Sequence, residues 1–301
     1  MLRFSRLFAA LFFACLLSGI AAAKANPAWT TPLPPFQIAD HLYYVGSRDL
    51  AAYLVTTPAG NILINANLAT SPPQIRASVE RLGLRWMDTK ILLNGQAHFD
   101  HMAGAAEVLR ETHAQDMVME GDSDAVRSGG RNDFAFGMSG MQAYAPARVD
   151  RVLHDGDTVT LGGTTLTAHK TAGHSRGCTT WTLRTHMHGD PPATLREVVI
   201  VGGLWPLSQY QLVDAPGHKA SYPGIEKEFQ QTFDKLRALP CDIFLGSHGV
   251  YFDLLPKLAR MPAEGEAVFL DRKGYLQTVN DAQAGFGAMV ARQSGRTMKA
   301  P

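Results

Sequence analysis

One short stretch constrains this chain more than any other: Asn94-Gly95-Gln96-Ala97-His98-Phe99-Asp100-His101-Met102-Ala103-Gly104. It follows Lys90-Ile91-Leu92-Leu93, an apolar run that predicts a buried strand, and it precedes Ala105 to Arg110, which has helical composition and spacing. The polar residues of the stretch are therefore predicted at the carboxyl end of a strand, where open α/β sheets place ligands and metals: Gln96, His98, Asp100 and His101. Two imidazoles and a carboxylate at this spacing suit zinc, whose ligands include histidine nitrogen and carboxylate oxygen. The alternative, two surface histidines and a turn aspartate, is disfavoured by the strand–loop–helix setting.

The amino end of the chain has the composition of an export signal. Two arginines precede the apolar segment Leu7 to Ile20, which is too short to span a bilayer comfortably. Small residues follow, and Ala23-Lys24-Ala25 fits the small-x-small pattern of a signal-peptide cleavage site. We therefore expect residues 1–25 to be a signal peptide, residues 26–301 to form a single domain, and the mature protein to be periplasmic. The alternative is that the apolar segment is retained as a membrane anchor.

The amino-acid composition and net charge of the chain limit the kinds of molecule that it is expected to bind. The chain has 301 residues, of which 46% are apolar, so it can bury a large core. Its formal net charge is +1, which gives no indication of a nucleic acid or an anionic membrane as partner. We expect a monomer that acts on a small molecule.

Short strands and helices alternate along the chain in two similar series. Each series is predicted to form a mostly antiparallel sheet with outer helices. The first strands of the two series are Phe36 to Val45, Ala51 to Thr56 and Asn61 to Ala66, then Arg151 to Leu153, Asp157 to Leu161 and Thr164 to Lys170. Helices are predicted after a Ser71 cap, from Gly224 to Leu239 and from Asp271 to Val290. This order predicts an α/β fold with two sheets face to face and helices outside.

Two further histidines follow apolar strands as the metal-loop pair does. His174 lies in the turn Ala172-Gly173-His174, and His248 follows the strand Asp242 to Leu245. The remaining histidines are surface or turn residues by default. The four histidines after strands are therefore the candidate metal ligands.

Two long loops carry apolar residues that could cover a substrate. Residues 128–148 have neither helical nor strand periodicity and contain Phe134, Phe136, Met138 and Met141, and residues 203–222 contain Trp205. Loops of this length in a compact domain are usually functional. Packing against the body of the protein is the alternative for each of these side chains.

With these residues assembled, the chain resembles the metallo-β-lactamase superfamily. Its metal loop, the Ala172-Gly173-His174 turn and Ser247-His248 match the family pattern in order and approximate spacing. Within that superfamily the chain is similar to subclass B3, and the stretches Ser128 to Phe134, Val152 to Asp157 and His174 to Trp181 support that placement. The resemblance implies a four-layer αββα sandwich.

The resemblance also implies two zinc sites. The first would use Gln96, His98 and His174, and the second Asp100, His101 and His248. The family usually has His where this chain has Gln96, and the departure resembles the GOB-type branch, which also carries Gln there. An amide oxygen is a weaker zinc donor than imidazole nitrogen, so we expect the first zinc to bind more weakly than the second.

Cys178 is a second departure from the pattern of subclass B3, which often has Ser at this position to help hold the substrate carboxylate. Three interpretations of Cys178 are open, namely a small packing residue, a substrate contact or an auxiliary zinc ligand. Thr180 is the alternative contact for the carboxylate. Cys178 and Cys241 form an even pair in an oxidising compartment, but we expect free thiols because they lead into different strands.

The implied activity is zinc-dependent hydrolysis of the β-lactam amide by a metal-bound hydroxide, with Asp100 as both ligand and orienting group. The main alternative is another zinc hydrolase on the same scaffold, such as a glyoxalase-II-like thioesterase or a lactonase. Those relatives usually place a metal-bridging Asp at the end of the strand after the His174 turn. This chain has Val198-Val199-Ile200-Val201-Gly202-Gly203 there, without an acid. A further alternative is an inactive protein that binds zinc or a cell-wall precursor.

Overall fold

Seven strands form the first sheet of the computed structural model, which describes residues 26–137, 139–140 and 142–295. In spatial order, which is also chain order, they are β1 (Phe36–Ala39), β2 (Leu42–Tyr44), β3 (Tyr53–Thr57), β4 (Gly60–Ile64), β5 (Thr89–Leu93), β6 (Gln115–Met119) and β7 (Arg151–Leu153). Strands β1 to β4 pair antiparallel, whereas β4 to β7 pair parallel. The expectation of a mostly antiparallel sheet is therefore wrong for this half, because each connection after β4 contains a helix that returns the chain in the same direction.

Five strands form the second sheet, in the spatial order β12-β11-β10-β9-β8. They are β8 (Thr158–Leu161), β9 (Thr164–Lys170), β10 (Thr179–Thr185), β11 (Arg196–Val201) and β12 (Ile243–Gly246). Only the β11–β12 pair is parallel among them. Sequence alone grouped Arg151 to Leu153 with this sheet, which is wrong because that strand pairs with β6, in register Met117 to Arg151.

Seven α-helices connect the strands in the described part of the chain. They are α1 (Pro72–Arg81), α2 (Phe99–Met102), α3 (Ala105–Thr112), α4 (Ser123–Ser128), α5 (Ile225–Ala238), α6 (Leu254–Glu264) and α7 (Arg272–Gln293). Ser71 lies at the N-cap of α1 with prolines in the first turn, as predicted, but its side chain makes no capping hydrogen bond. Helix α6 was not predicted from the sequence, and Pro262 lies within it.

The two sheets pack face to face through one large apolar core. Tyr53, Trp181 and Phe244 are fully buried in it. Helices α1 and α3 cover the outer face of the first sheet with Ile75 and Val108. On the far side α5 and α7 pack together, and α7 contacts β12. The layers are helix, sheet, sheet, helix, so the αββα sandwich is confirmed.

Hydrogen bonds join the two sheets at the edge where their strands end. The Tyr53 hydroxyl donates to the Gly246 carbonyl (2.6 Å), and the Trp181 indole donates to the Asn94 carbonyl (2.8 Å). The backbone N–H of Thr179 donates to the carbonyl of Gly95 (2.8 Å). These contacts bring the carboxyl ends of β5 and β12 beside the start of β10. The three loops that carry candidate metal ligands consequently meet at one edge of the sandwich.

None of the helices in the described ranges combines the length and the apolar character needed to cross a bilayer. The predicted signal peptide, residues 1–25, lies outside the described residues. So do Met138 and Met141 of the first long loop.

Candidate metal centre

Asp100, His101 and His248 bring three ligand atoms together at the edge of the sandwich. The Nε2 atoms of His101 and His248 are 3.2 Å apart, and Asp100 Oδ2 lies 3.5 Å from the first and 3.4 Å from the second. Zinc held tetrahedrally by nitrogen and oxygen at its usual bond lengths separates its ligand atoms by about 3.3–3.4 Å. The three distances therefore match the edges of a zinc coordination tetrahedron. All three side chains are nearly or fully buried, which suits a metal site more than a surface ion pair.

A second group of donors lies beside the first. The rings of His98 and His174 approach to 4.8 Å between centroids. Gln96 is buried in the same loop, and its Oε1 atom has no hydrogen-bond partner. Buried amide oxygens are rarely left without a partner, so an unmet acceptor here fits a metal ligand. Gln96, His98 and His174 are thus a neutral donor set that fits zinc.

Burial sets the protonation of two of the histidines. It lowers the pKa of His101 to about 4 and that of His174 to about 3, so both are neutral at pH 7 with a lone pair free for a metal. Burial also lowers the pKa of His248, but hydrogen bonds and charge from Asp100 and Asp49 outweigh it and raise the pKa to about 9. A metal that binds His248 must therefore displace a proton.

Two of the four histidines, His174 and His248, are oriented from behind by a hydrogen bond to an oxygen atom, and a third, His98, faces a carboxylate at a longer distance. His174 Nδ1 donates to the Trp205 carbonyl at 2.7 Å, which leaves Nε2 as the unprotonated nitrogen. His248 Nδ1 lies 3.2 Å from Asp49 Oδ2. His98 Nε2 lies 3.6 Å from Asp133 Oδ2, just beyond hydrogen-bond distance. Such outer contacts fix the tautomer and the direction of a metal-binding imidazole.

Gly202 and Gly203 at the end of β11 leave no room for a side chain. A Cβ atom on Gly203 would lie 2.6 Å from Cδ2 of His174. One on Gly202 would collide with the carbonyl oxygens of Gly95 and Thr179. The backbone of this corner therefore packs directly against the metal loops, and neither residue supplies an acid to the centre.

Four of the six candidate ligands, His98, Asp100, His174 and His248, line a cavity of about 570 Å³. Aromatic residues form much of its wall: Trp29, Phe99, Phe136, Trp205 and Tyr251. Asp49 and three amide side chains contribute other polar groups, the amides being Asn26, Gln142 and Gln209. A cavity of this size and character suits a small organic molecule with apolar substituents.

Comparisons with known proteins agree with this geometry. Residues 48–190 match the family model of the metallo-β-lactamase superfamily. The native FEZ-1 metallo-β-lactamase from Legionella gormanii is 42% identical, with 87% of this chain and 97% of that chain covered and a TM-score of 0.83.

The chain belongs to the metallo-β-lactamase superfamily. Two other structures of the superfamily are also similar. LRA-12, a class B3 di-zinc metallo-β-lactamase from an Alaskan soil metagenome, is 34% identical over 89% of this chain and 98% of that chain, with a TM-score of 0.78. GOB-18 from Elizabethkingia meningoseptica is 33% identical over 90% and 97%, with a TM-score of 0.80. The resemblance to subclass B3 of the superfamily is thereby confirmed.

Of the residues predicted to contact substrate, some line the cavity and others do not. Trp205 lines the cavity. Phe134 does not, and instead packs on Tyr210 and Tyr222 with ring centroids 5.0 and 4.7 Å away. The structure thus shows Phe134 packed on two tyrosines, and a substrate contact by its side chain stays a prediction.

Cys178 and Thr180 are fully buried and do not line the cavity. The Cys178 thiol faces the Gly203 carbonyl at 3.6 Å, and burial raises its pKa to about 12. The Thr180 hydroxyl is paired with that of Thr171 at 3.0 Å. Full burial favours the packing interpretation of Cys178, and the cavity lining gives no support to a substrate contact by either side chain. Cys178 and Cys241 are both free thiols in the structure, as predicted.

Several residues around the metal centre were missed by sequence reasoning. Trp29 and Asp49 come from the amino-terminal arm and the β2–β3 connection, and the Trp29 indole donates to Asp49 Oδ2 at 2.9 Å. Neither position carries a local signal, since a single aspartate in a turn is ordinary. Asp133 did lie in the Gly-rich stretch that resembled subclass B3, so a signal for it was present.

Proposed function

We propose that this protein hydrolyses the amide bond of β-lactam antibiotics with zinc held at two neighbouring groups of ligands. The groups are Gln96, His98 and His174, and Asp100, His101 and His248. The observation that carries the proposal is the glycine corner at the end of β11. Thioesterases of the same scaffold usually bring a bridging acid there, and in this chain Gly203 packs against His174 with no space for one.

The two groups differ in what they offer a metal. Asp100 gives the second group an anionic ligand, whereas the first group has only neutral donors. Gln96 also puts an amide oxygen, a weaker zinc donor, where the family usually has imidazole. Zinc should therefore fill the second group before the first. When bound, zinc supplies Lewis acidity and an ionised water near neutral pH.

Asp100 is the proposed catalytic residue among the protein groups. Burial opposes its ionisation, but electrostatic interaction with His101 and the hydrogen bond and charge of His248 hold its pKa below the usual range. Its carboxylate therefore stays ionised at neutral pH, directed at the cavity that it lines. There it can accept a hydrogen bond from an attacking water and hold that water in line with a bound substrate.

The aromatic wall is proposed to bind the substituents of the antibiotic. Trp29, Phe136 and Trp205 surround the donors and exclude bulk water from the side of the cavity on which they lie. Besides the metal-ligand candidates, the polar groups of the wall are three amides, the Tyr251 hydroxyl and the carboxylate of Asp49, which already faces His248 and accepts from Trp29. No Lys or Arg lines the described wall. We expect recognition to depend more on apolar contact than on ion pairing.

The proposed setting of the activity is the periplasm, where β-lactams meet their targets. The export signal expected in residues 1–25 supports this setting, as does the expectation that residues 26–301 form one domain. Expression of the full chain in a susceptible bacterium is expected to raise the β-lactam concentration that the cells survive. A variant without residues 2–25 should give much less protection.

The decisive experiment uses the purified chain with its metal removed. Hydrolysis of nitrocefin should be absent after chelation and should return when zinc is added. The variant Asp100→Asn should hydrolyse nitrocefin at least about a hundredfold more slowly, whereas His154→Ala, at an exposed histidine, should behave like the unmodified chain. Zinc-dependent cleavage of thioesters or lactones without any cleavage of nitrocefin would refute the proposal in favour of another hydrolase.

A further inference from the structure

Asp122 lies outside both ligand groups, and we propose that it is the positioning residue that builds the first of them. This inference rests on the proposed function, which makes Gln96, His98 and His174 zinc ligands. Asp122 precedes α4 and is almost completely buried, at 2% exposure. It touches none of the candidate metal-binding atoms, and so it acts through the backbone that carries them.

The carboxylate of Asp122 accepts three hydrogen bonds from the two ligand loops. Oδ2 accepts from the backbone N–H of Ala97 (2.9 Å) and from the hydroxyl of Ser175 (2.7 Å). Oδ1 accepts from the backbone N–H of Gly177 (2.7 Å). Hydrogen bonds to a carboxylate are stronger than those between neutral groups, and these three are buried.

The placement of these donors explains what the carboxylate controls. Ala97 lies between Gln96 and His98, and Ser175 directly follows His174. One side chain therefore holds the backbone beside all three ligands of the first group. A shift of Asp122 would change the separation of the two loops and with it the fit of a metal between them.

The peptide of Ala97 is also held from its other end. The hydroxyl of Tyr144 donates to the Ala97 carbonyl at 2.6 Å, and both groups are buried. Close backbone packing surrounds the Asp122 turn, because a Cβ atom on Gly121 would collide with Arg176 and one on Gly177 with Asp122. Packing therefore fixes the distance between the turn at Asp122 and the turn at Gly177, and Asp122 makes the hydrogen bonds between them.

The second ligand group is held by different contacts. Asp100 and His101 lie within α2, and His248 is backed by Asp49, which accepts from the indole of Trp29. None of these contacts includes Asp122. Substitution of Asp122 is therefore expected to lower zinc affinity at the first site alone. A general loss of folding would lower the affinity of both sites.

The test compares zinc affinities of the full chain and its variants by competition with a chromophoric chelator. Asp122→Asn keeps the shape but turns an amide N–H₂ toward groups that also donate, so first-site affinity should fall at least about tenfold while second-site affinity holds. Ser175→Ala removes one of the three bonds and should give a smaller loss at the same site. Asp116→Asn is the matched control, since its buried carboxyl lies nearby in the chain and makes no hydrogen bond.

A second measurement does not depend on metal. In the metal-free chain, Asp122→Asn should raise amide hydrogen exchange at Ala97 and Gly177 by at least tenfold, with exchange in the segment before His248 unchanged. Equal zinc loss at both sites, or unchanged first-site affinity and exchange, would overturn the inference. Absence of first-site zinc in the unmodified chain would instead refute the ligand set of the proposed function. The exchange measurement would still show whether Asp122 holds the two loops in place.

Discussion

Gly203 packs so closely on His174 that a Cβ atom added to it would lie 2.6 Å from the imidazole ring. The ring cannot simply move away, because its Nδ1 donates to the carbonyl of Trp205 two residues further on. The carbonyl oxygen of Gly203 itself accepts a hydrogen bond from the thiol of Cys178. The glycine corner is thus the surface against which His174, a proposed metal ligand, is held.

The variant Gly203→Ala should therefore displace His174. We expect first-site zinc affinity to fall at least about tenfold, with the second site retained, because only the first group includes His174. Zinc titration followed by native mass spectrometry measures both occupancies. Gly285→Ala, at a helical glycine with nothing within 4 Å, is the control and should bind zinc normally. Full first-site occupancy in Gly203→Ala would show that the corner yields to the new methyl group.

Gln96→His should strengthen the first site. The buried amide oxygen of Gln96 has no hydrogen-bond partner, and imidazole nitrogen is a better zinc donor than an amide oxygen. We expect at least about a tenfold gain in first-site affinity in a zinc titration, and Gln96→Leu, which has no donor, should show a loss. If neither variant changes the affinity, Gln96 is not a ligand.

Local patterns predicted the contiguous part of the site. Gln96 to His101 could be assigned because the strand before them and the helix after them are both visible in the sequence. His174 and His248 followed from the same rule. Asp49 could not, since its role depends on a contact with a residue about two hundred positions away.

The errors in the predicted strands and helices can also be traced to particular residues. Strand β7 has only three residues, and nothing in them distinguishes pairing with β6 from pairing with the next hairpin. Helix α6 was missed because Pro256 and Pro262 interrupt its helical pattern, although tertiary packing stabilises it. Cys178 was open to three interpretations because sequence does not show burial, and its full burial favours packing.

Asp49→Asn should weaken the second site. Asp49 Oδ2 faces Nδ1 of His248 and also accepts from the indole of Trp29, so its charge and position direct the ligand. We expect a loss of about 10- to 100-fold in second-site zinc affinity. Trp29→Phe, which removes only the indole donor, should cause a smaller loss. An unchanged second site in Asp49→Asn would mean that His248 is held in place by its backbone alone.

Asp116 should make the protein less stable as the pH rises. It is fully buried on β6, neither carboxyl oxygen has a hydrogen-bond partner, and burial together with Asp150 raises its pKa to about 8. In the unfolded chain the pKa is near 4, so between about pH 4 and pH 8 the folded state binds one more proton than the unfolded state. The free energy of unfolding should therefore fall across this window by up to about 1.4 kcal/mol per pH unit from this group alone.

The measurement is urea denaturation of the metal-free chain at pH 5 and pH 8, compared with Asp116→Asn. The amide does not ionise, so the variant should lose this part of the pH dependence and become more stable than the unmodified chain at pH 8. At pH 5 the difference should be much smaller than at pH 8, because pH 5 lies only about one unit above the pKa at which the unfolded chain begins to ionise. Asp124→Asn, at an exposed position on α4, should keep the original pH dependence. Parallel pH profiles for Asp116→Asn and the unmodified chain would contradict a protonated Asp116.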